Sequence, residues 1–185
     1  MRPESVFSSG YGRVLTALTA VAAVVAVAGL AGSVAVRDLV LGAALAGLAV
    51  LAVWALFARP AVEVSDGEIV IRNVLRTVRI PWPTVEGADV RWNLVVRTTS
   101  GEWTAWAAPR SSDTARPLRR GRQGPAEAAA DAIDERLTEL RAAGHLDGAR
   151  ETAREHGIRP TVTWHAGTLL AAAGLVVVAA VSRVL

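Results

Sequence analysis

Three long apolar runs enclose a stretch in which apolar and polar residues alternate. Val14 to Val36 holds 23 residues without a charge. As an α-helix rising about 1.5 Å per residue, this run reaches roughly 34 Å, enough to cross a hydrocarbon core of about 30 Å. Leu39 to Ala58 supplies a second run of 20, roughly 30 Å long. Arg59 and then Pro60 close it, and proline continues a helix poorly. Only Arg37 and Asp38 part the two runs, so the spacing predicts a transmembrane helical hairpin over 14–58, with spans 14–36 and 39–58. The first run is longer than the apolar part of a cleaved signal peptide, typically about 7 to 15 residues. The third run, Ala166 to Ser182, has 17 uncharged residues. It reaches about 26 Å, or about 33 Å if Thr161 to His165 join it. It reads as a third transmembrane helix over 161–182, the alternative being a buried helix packed on a soluble domain.

After Pro60 the period changes from helical to alternating, the signature of half-buried strands. Val62 and Val64 lead to Asp66-Gly67, a dipeptide that favours a type I′ hairpin turn. Ile69 and Ile71 alternate with Val70 and Arg72 in a second strand. Asn73 to Arg76 predicts a turn, after which Val78, Ile80 and Trp82 share one face until Pro81 and Pro83 end the strand. Val90, Trp92, Leu94 and Val96 alternate with Arg91, Asn93 and Arg97 up to a Ser100-Gly101 turn. The chain then returns through Trp103, Ala105 and Ala107. On this parity Trp82, Trp92 and Trp103 belong to the core, and Trp106 faces the other way. The apolar face needs a cover, and residues 125–143 predict one. Pro125 suits a helix start, Ala130, Ile133, Leu137 and Leu140 recur at 3, 4, 3 spacing, and Gly144 suits the position just past the end. Residues 145–160 read as a polar linker or short polar helix returning the chain to the membrane at Pro160.

Charge follows the same division. Residues 1–60 carry six charged side chains and residues 61–160 carry thirty, so the ends and the middle meet different solvents. All twenty basic residues are arginine. Their placement orients the chain by the positive-inside rule. Arg2 and Arg13 precede the first span, Arg59, Arg72, Arg76 and Arg79 follow the second, and the hairpin offers only Arg37. The expectation is an N-terminal cytoplasmic segment (1–13), a cytoplasmic domain and a C-terminus outside, in a multi-pass protein of the cell membrane. Arg159 agrees with this orientation and Arg183 opposes it. In the middle segment fifteen arginines balance fifteen acids, which is not the surface of a protein that coats nucleic acid.

Two groups of side chains point to contacts. The loop 110–124 carries Arg110, Arg116, Arg119, Arg120 and Arg122 against Asp113 alone. It is either a surface for anionic lipid headgroups or a protein partner, or a solvated connector that helps to retain the domain inside. Trp54, near the end of the second span, and Trp164, before the third, suit the headgroup level of a bilayer. Small residues four apart, such as Gly29 with Ser33, Ala28 with Gly32, Gly42 with Ala46 and Ala43 with Gly47, let helices approach closely in lipid, within one chain or in a homo-oligomer.

Catalytic chemistry is not prominent. The absence of cysteine excludes a disulfide scaffold, a thiolate metal site and a cysteine nucleophile. His145, His156 and His165 lack metal-ligand spacing, and no nucleophile elbow or phosphate-binding glycine loop is present. Asp131, Asp134 and Glu135 lie outside the apolar stripe of their helix, as a solvated face would. No cofactor, metal or nucleic acid is expected.

The Asp66-Gly67 hairpin, Ile71-Arg72-Asn73, Arg79-Ile80-Pro81-Trp82 and Val95-Val96-Arg97 before Ser100-Gly101 together resemble the bacterial pleckstrin-homology domain of the low molecular weight protein antigen 6 group. In that family a pair of membrane helices commonly precedes the domain, as residues 14–58 do here. The resemblance implies transmembrane helices plus a small α+β domain over 61–144, a bent antiparallel sheet capped by a C-terminal helix. The leading expectation for function is a membrane-anchored binding or scaffold protein without catalysis. The alternatives are an accessory subunit whose membrane helices associate with another membrane protein, or an enzyme whose site has no familiar signature. A fold of this kind hosts many binding modes and does not name a ligand.

Overall fold

The computed structural model of the protein describes residues 5–8, 10–109 and 124–184. The chain divides into two compact units, a β-rich one of residues 1–9 and 60–163 and a helical one of residues 10–59 and 164–185.

In the β-rich unit, β1 (Ser5–Ser8), β2 (Ala61–Val64), β3 (Glu68–Arg72) and β4 (Arg76–Pro81) form successive antiparallel pairs. The register sets Val62 opposite Ile71 and Ile71 opposite Val78, and likewise Val64 opposite Ile69 and Ile69 opposite Ile80. All six are buried on one face, which is why alternation marked these strands so clearly. A second sheet follows in the order β5 (Val85–Val90), β6 (Asn93–Thr98) and β7 (Gly101–Pro109). There Leu94 faces Ala105 and Val96 faces Trp103. Helix α3 (Pro125–Ala142) buries Ala126, Ala129, Ala130, Ile133, Leu137 and Leu140 in the core shared by both sheets. Each fully buried Ile or Leu contributes about 1.5–3 kcal/mol through removal from water. Pro125 is its first residue, and Gly144 ends it with φ +71°. The His145 N–H donates to Leu140 O at 3.0 Å and the Gly144 N–H to Arg141 O at 3.1 Å, the paired bonds of a Schellman cap.

Several expectations meet corrections. Ser5–Ser8, read as part of a plain N-terminal segment, is an edge strand whose Phe7 packs on the core. The Asp66-Gly67 turn is not type I′, because no described non-glycine residue has a positive φ and that turn needs one at its first central position. Ser65 closes the turn instead, its N–H and hydroxyl both donating to Glu68 O, at 3.2 and 2.8 Å. The alternation across 90–97 is two strands rather than one. Arg91 and Trp92 lie between β5 and β6, so Trp92 leaves the core parity and is 88% exposed.

The linker 145–160 contains α4 (Ala149–Glu155), whose Ala153 is buried and whose Arg150 donates to Val85 O at 3.1 Å. Residues Thr161–Trp164 form β8, beside β4, rather than the start of a helix. The larger sheet therefore runs β1-β2-β3-β4-β8.

The helical unit holds α1 (Gly10–Leu30), α2 (Val36–Val53) continued by a π-helical turn over Trp54–Ala58, and α5 (Ala166–Val184). All three helices are long and apolar enough to cross a membrane, with 21, 23 and 19 residues once the π turn is counted with α2. Only a small share of any of them is buried, so α5 is not the buried helix of its alternative reading. Arg37 and Asp38 lie inside the first turn of α2 rather than in the loop, where Asp38 meets the positive end of the helix dipole. The link between α1 and α2 turns instead at Gly32, with φ +85°.

Candidate functional site

Within the helical unit, α1 and α5 both pack against α2. The closest approach is at Gly12: an added Cβ there would lie 1.9 Å from Phe57 O and 3.0 Å from Ala58 N. Only glycine admits the π turn to this distance. The small-residue pairs noted in the sequence do less. Gly42 and Gly47 would bring a Cβ to 3.4 Å from Leu30 and Leu175 side chains, and Gly29 and Gly32 face open space. Gly12 was missed because its partner is a backbone carbonyl 45 residues on, and no spacing rule points there.

The π turn places Trp54 and Arg59 together. The Arg59 N–H donates to Trp54 O at 2.9 Å, the i to i−5 bond that defines the turn. The Arg59 guanidinium stacks 5.0 Å from the centre of the Trp54 ring and donates to Thr168 Oγ1 of α5. Above this cluster α1, α2 and α5 enclose an apolar groove of about 810 Å³. Ala20 and Val27 line it from α1, Ala43, Val50 and Trp54 from α2, and Leu175 from α5. Trp164, the other expected interfacial residue, is the last residue of β8 and is exposed.

The β-rich unit displays its own aromatic surface. Trp92 sits just before β6, and Trp106 follows Ala105, which pairs with Leu94 near the start of that strand. Trp92 and Trp106, 88% and 64% exposed, are thus at the same end of the β6–β7 hairpin. Trp82 is core, 3% exposed, with Nε1 donating to Ser65 O at 2.8 Å. Trp103 is half-buried, and the Arg76 guanidinium lies 5.7 Å from its ring centre. Arg110, Arg116, Arg119, Arg120 and Arg122 lie outside the described residues.

Titratable groups are spent on local structure. Arg72 pairs with Glu63 at 3.0 Å, Arg79 with Glu68, and Arg136 with both Asp66 and Glu139. Asp134 of α3 accepts from the Ala88 N–H at 3.4 Å, and His156 Nδ1 lies 2.9 Å from Thr152 O. Among the described residues, no group of three or more His, Asp or Glu side chains is placed to hold a metal ion.

No protein-family model, curated protein or solved structure matches the chain.

Proposed function

We propose that the protein is a membrane-anchored binding or scaffold module without catalytic activity, its pleckstrin-homology-like domain facing the cytoplasm from the cell membrane. The observation that carries this reading is the order of the strands. Four strands, β1 to β4, make up most of one sheet and three, β5 to β7, make the other. Helix α3 follows and covers the core between them. Antiparallel strands capped by a C-terminal helix are what the resemblance implies, and this arrangement supports the reading. The hairpin α1–α2 is inserted in the connection between the paired strands β1 and β2. The hairpin is therefore joined in sequence to both strands of that pair. Exposed Trp92 and Trp106 add the surface character of a contact site, since tryptophan dominates binding hot spots.

Topology tests the reading directly, because the chain has no native cysteine to compete with an engineered one. Single cysteines at Asp38, Arg120 and Leu185 would be probed in intact cells with a membrane-impermeant thiol reagent. Labelling at 38 and 185 with protection at 120 is the expected result. Labelling at 120 would place the domain outside and sink the cytoplasmic assignment.

A further inference from the structure

We infer that a small pocket closed by α4 binds one phosphate group, held between Arg150 and Arg154. The pocket lies wholly within the β-rich unit. It needs neither the membrane spans nor the cytoplasmic orientation, and it gives the proposed binding module a ligand.

Three local structures build the pocket. The 3₁₀ turn Trp82–Thr84, between β4 and β5, is fixed by two buried side chains, and the Thr84 hydroxyl donates to Pro81 O at 2.7 Å. The β6–β7 turn is joined to it where the Thr99 N–H donates to Thr84 O at 3.0 Å. Helix α4 forms the third wall. Its Ala153 is buried, and Arg150 and Arg154, four residues apart on the same face, both line the pocket.

Charge and size then select the occupant. Arg150 is half-buried and spends one of its five N–H donors on Val85 O, which fixes the guanidinium. Arg154 is exposed at the mouth, and among the described residues neither arginine forms an ion pair. Glu86 of β5 also lines the pocket, so two positive charges meet one negative and an excess of one positive charge remains. The volume is about 70 Å³, well below the roughly 300–1,000 Å³ of pockets that enclose whole ring-bearing ligands. A single small anionic group fits. One guanidinium fork already satisfies the two oxygens of a carboxylate, whereas two forks a helical turn apart suit the larger oxygen set of a phosphate. The Thr99 hydroxyl adds a further donor at the rim. The phosphate arrives either free in solution or on a lipid headgroup, and the experiment separates the two.

Phosphorus NMR of inorganic phosphate titrated into the full chain in a non-ionic detergent tests the site, with ionic strength held constant by chloride. Saturable broadening at one phosphate per chain is the expected result. Arg154→Gln, at an exposed position, should weaken binding about tenfold or more, the effect of losing a charge-assisted hydrogen bond. Glu86→Gln removes the opposing carboxylate and should tighten binding, a gain that a misfolded variant cannot give. Arg183→Gln makes the same charge change as Arg154→Gln in the helical unit and should leave binding unchanged. Phosphatidylglycerol added to the micelles identifies the source: displacement of inorganic phosphate assigns the site to a lipid headgroup, and no displacement assigns it to a soluble phosphate. Absence of saturable binding overturns the site. So does binding that ignores both Arg154→Gln and Glu86→Gln, or that falls equally with Arg183→Gln. The thiol-labelling result does not depend on this one, so failure here leaves the membrane reading standing.

Discussion

Asn73 holds the backbone of Trp106 as a neighbouring strand would. Its Oδ1 accepts the Trp106 N–H at 2.8 Å, while its Nδ2 donates to Thr104 O at 2.9 Å. The side chain thereby joins the β3–β4 turn of the larger sheet to the β7 edge of the smaller one.

Asn73 is buried, and its loss removes the partner of the Trp106 N–H and of the Thr104 carbonyl. Asn73→Ala should therefore cost about 0.5–1.5 kcal/mol per bond lost. Asn73→Asp should cost at least as much, because a carboxylate keeps the Trp106 bond but faces Thr104 O without a donor. Hydrogen exchange of the full chain in detergent gives the local readout, and the Trp106 amide should lose protection in both variants. Unchanged protection would show that β7 is held by other means.

Gly12 makes a different kind of demand. A methyl group there collides with the Phe57 carbonyl, and neither partner is a flexible side-chain end. Gly12→Ala should force α1 away from the π turn at about 1–3 kcal/mol, the usual cost of overpacking. Gly174→Ala in α5 is the control. It meets no atom within 4 Å, and alanine gains up to about 1 kcal/mol in helix propensity. Thermal unfolding in detergent should lower the midpoint for the first variant and hold or raise it for the second. Equal midpoints would contradict the close approach.

Legibility in the sequence followed the physics of each element. β2, β3 and β4 were readable because one face is wholly buried, and Val62, Ile71 and Val78 keep strict parity across three strands. The stripe of α3 was readable for the same reason at helical period. β1 was not, since in four residues Val6 points outward and Phe7 alone reaches the core. β8 merged with α5 in the hydropathy pattern, because only its placement beside β4 makes Thr161–Trp164 a strand. In the helical unit the apolar lengths were plain. The Gly12 contact and the Arg59–Thr168 bond depend on partners distant in sequence, which no local pattern encodes.

The Schellman cap of α3 predicts a graded series at Gly144. With φ +71° the position suits glycine, and an L-residue with a Cβ costs roughly 1–2 kcal/mol in that region. Asparagine tolerates it better through local hydrogen bonding. Stability should therefore fall in the order wild type, Gly144→Asn, Gly144→Ala, measured by thermal unfolding of the full chain. An alanine variant as stable as wild type would mean that the chain leaves α3 by another route.

Trp82 and Trp92 separate a core tryptophan from a surface one, although both fall on apolar alternation in the sequence. Trp82 is packed among Val64, Ile69, Ile80 and the other residues of the core. Truncation to alanine should cost about 3–5 kcal/mol. Trp82→Phe keeps much of the packing and loses the bond to Ser65 O, for about 1–3 kcal/mol. Trp92 sits in the β5–β6 turn with most of its surface in solvent, and Trp92→Ala should stay within about 0.5 kcal/mol of wild type. The fluorescence of each variant reports the same difference. Loss of Trp82 should remove blue-shifted emission and loss of Trp92 red-shifted emission, because water stabilises the excited indole. If Trp92→Ala proved as damaging as Trp82→Ala, the turn at 91–92 would be wrong and residues 90–97 would form the single strand that their alternation suggests.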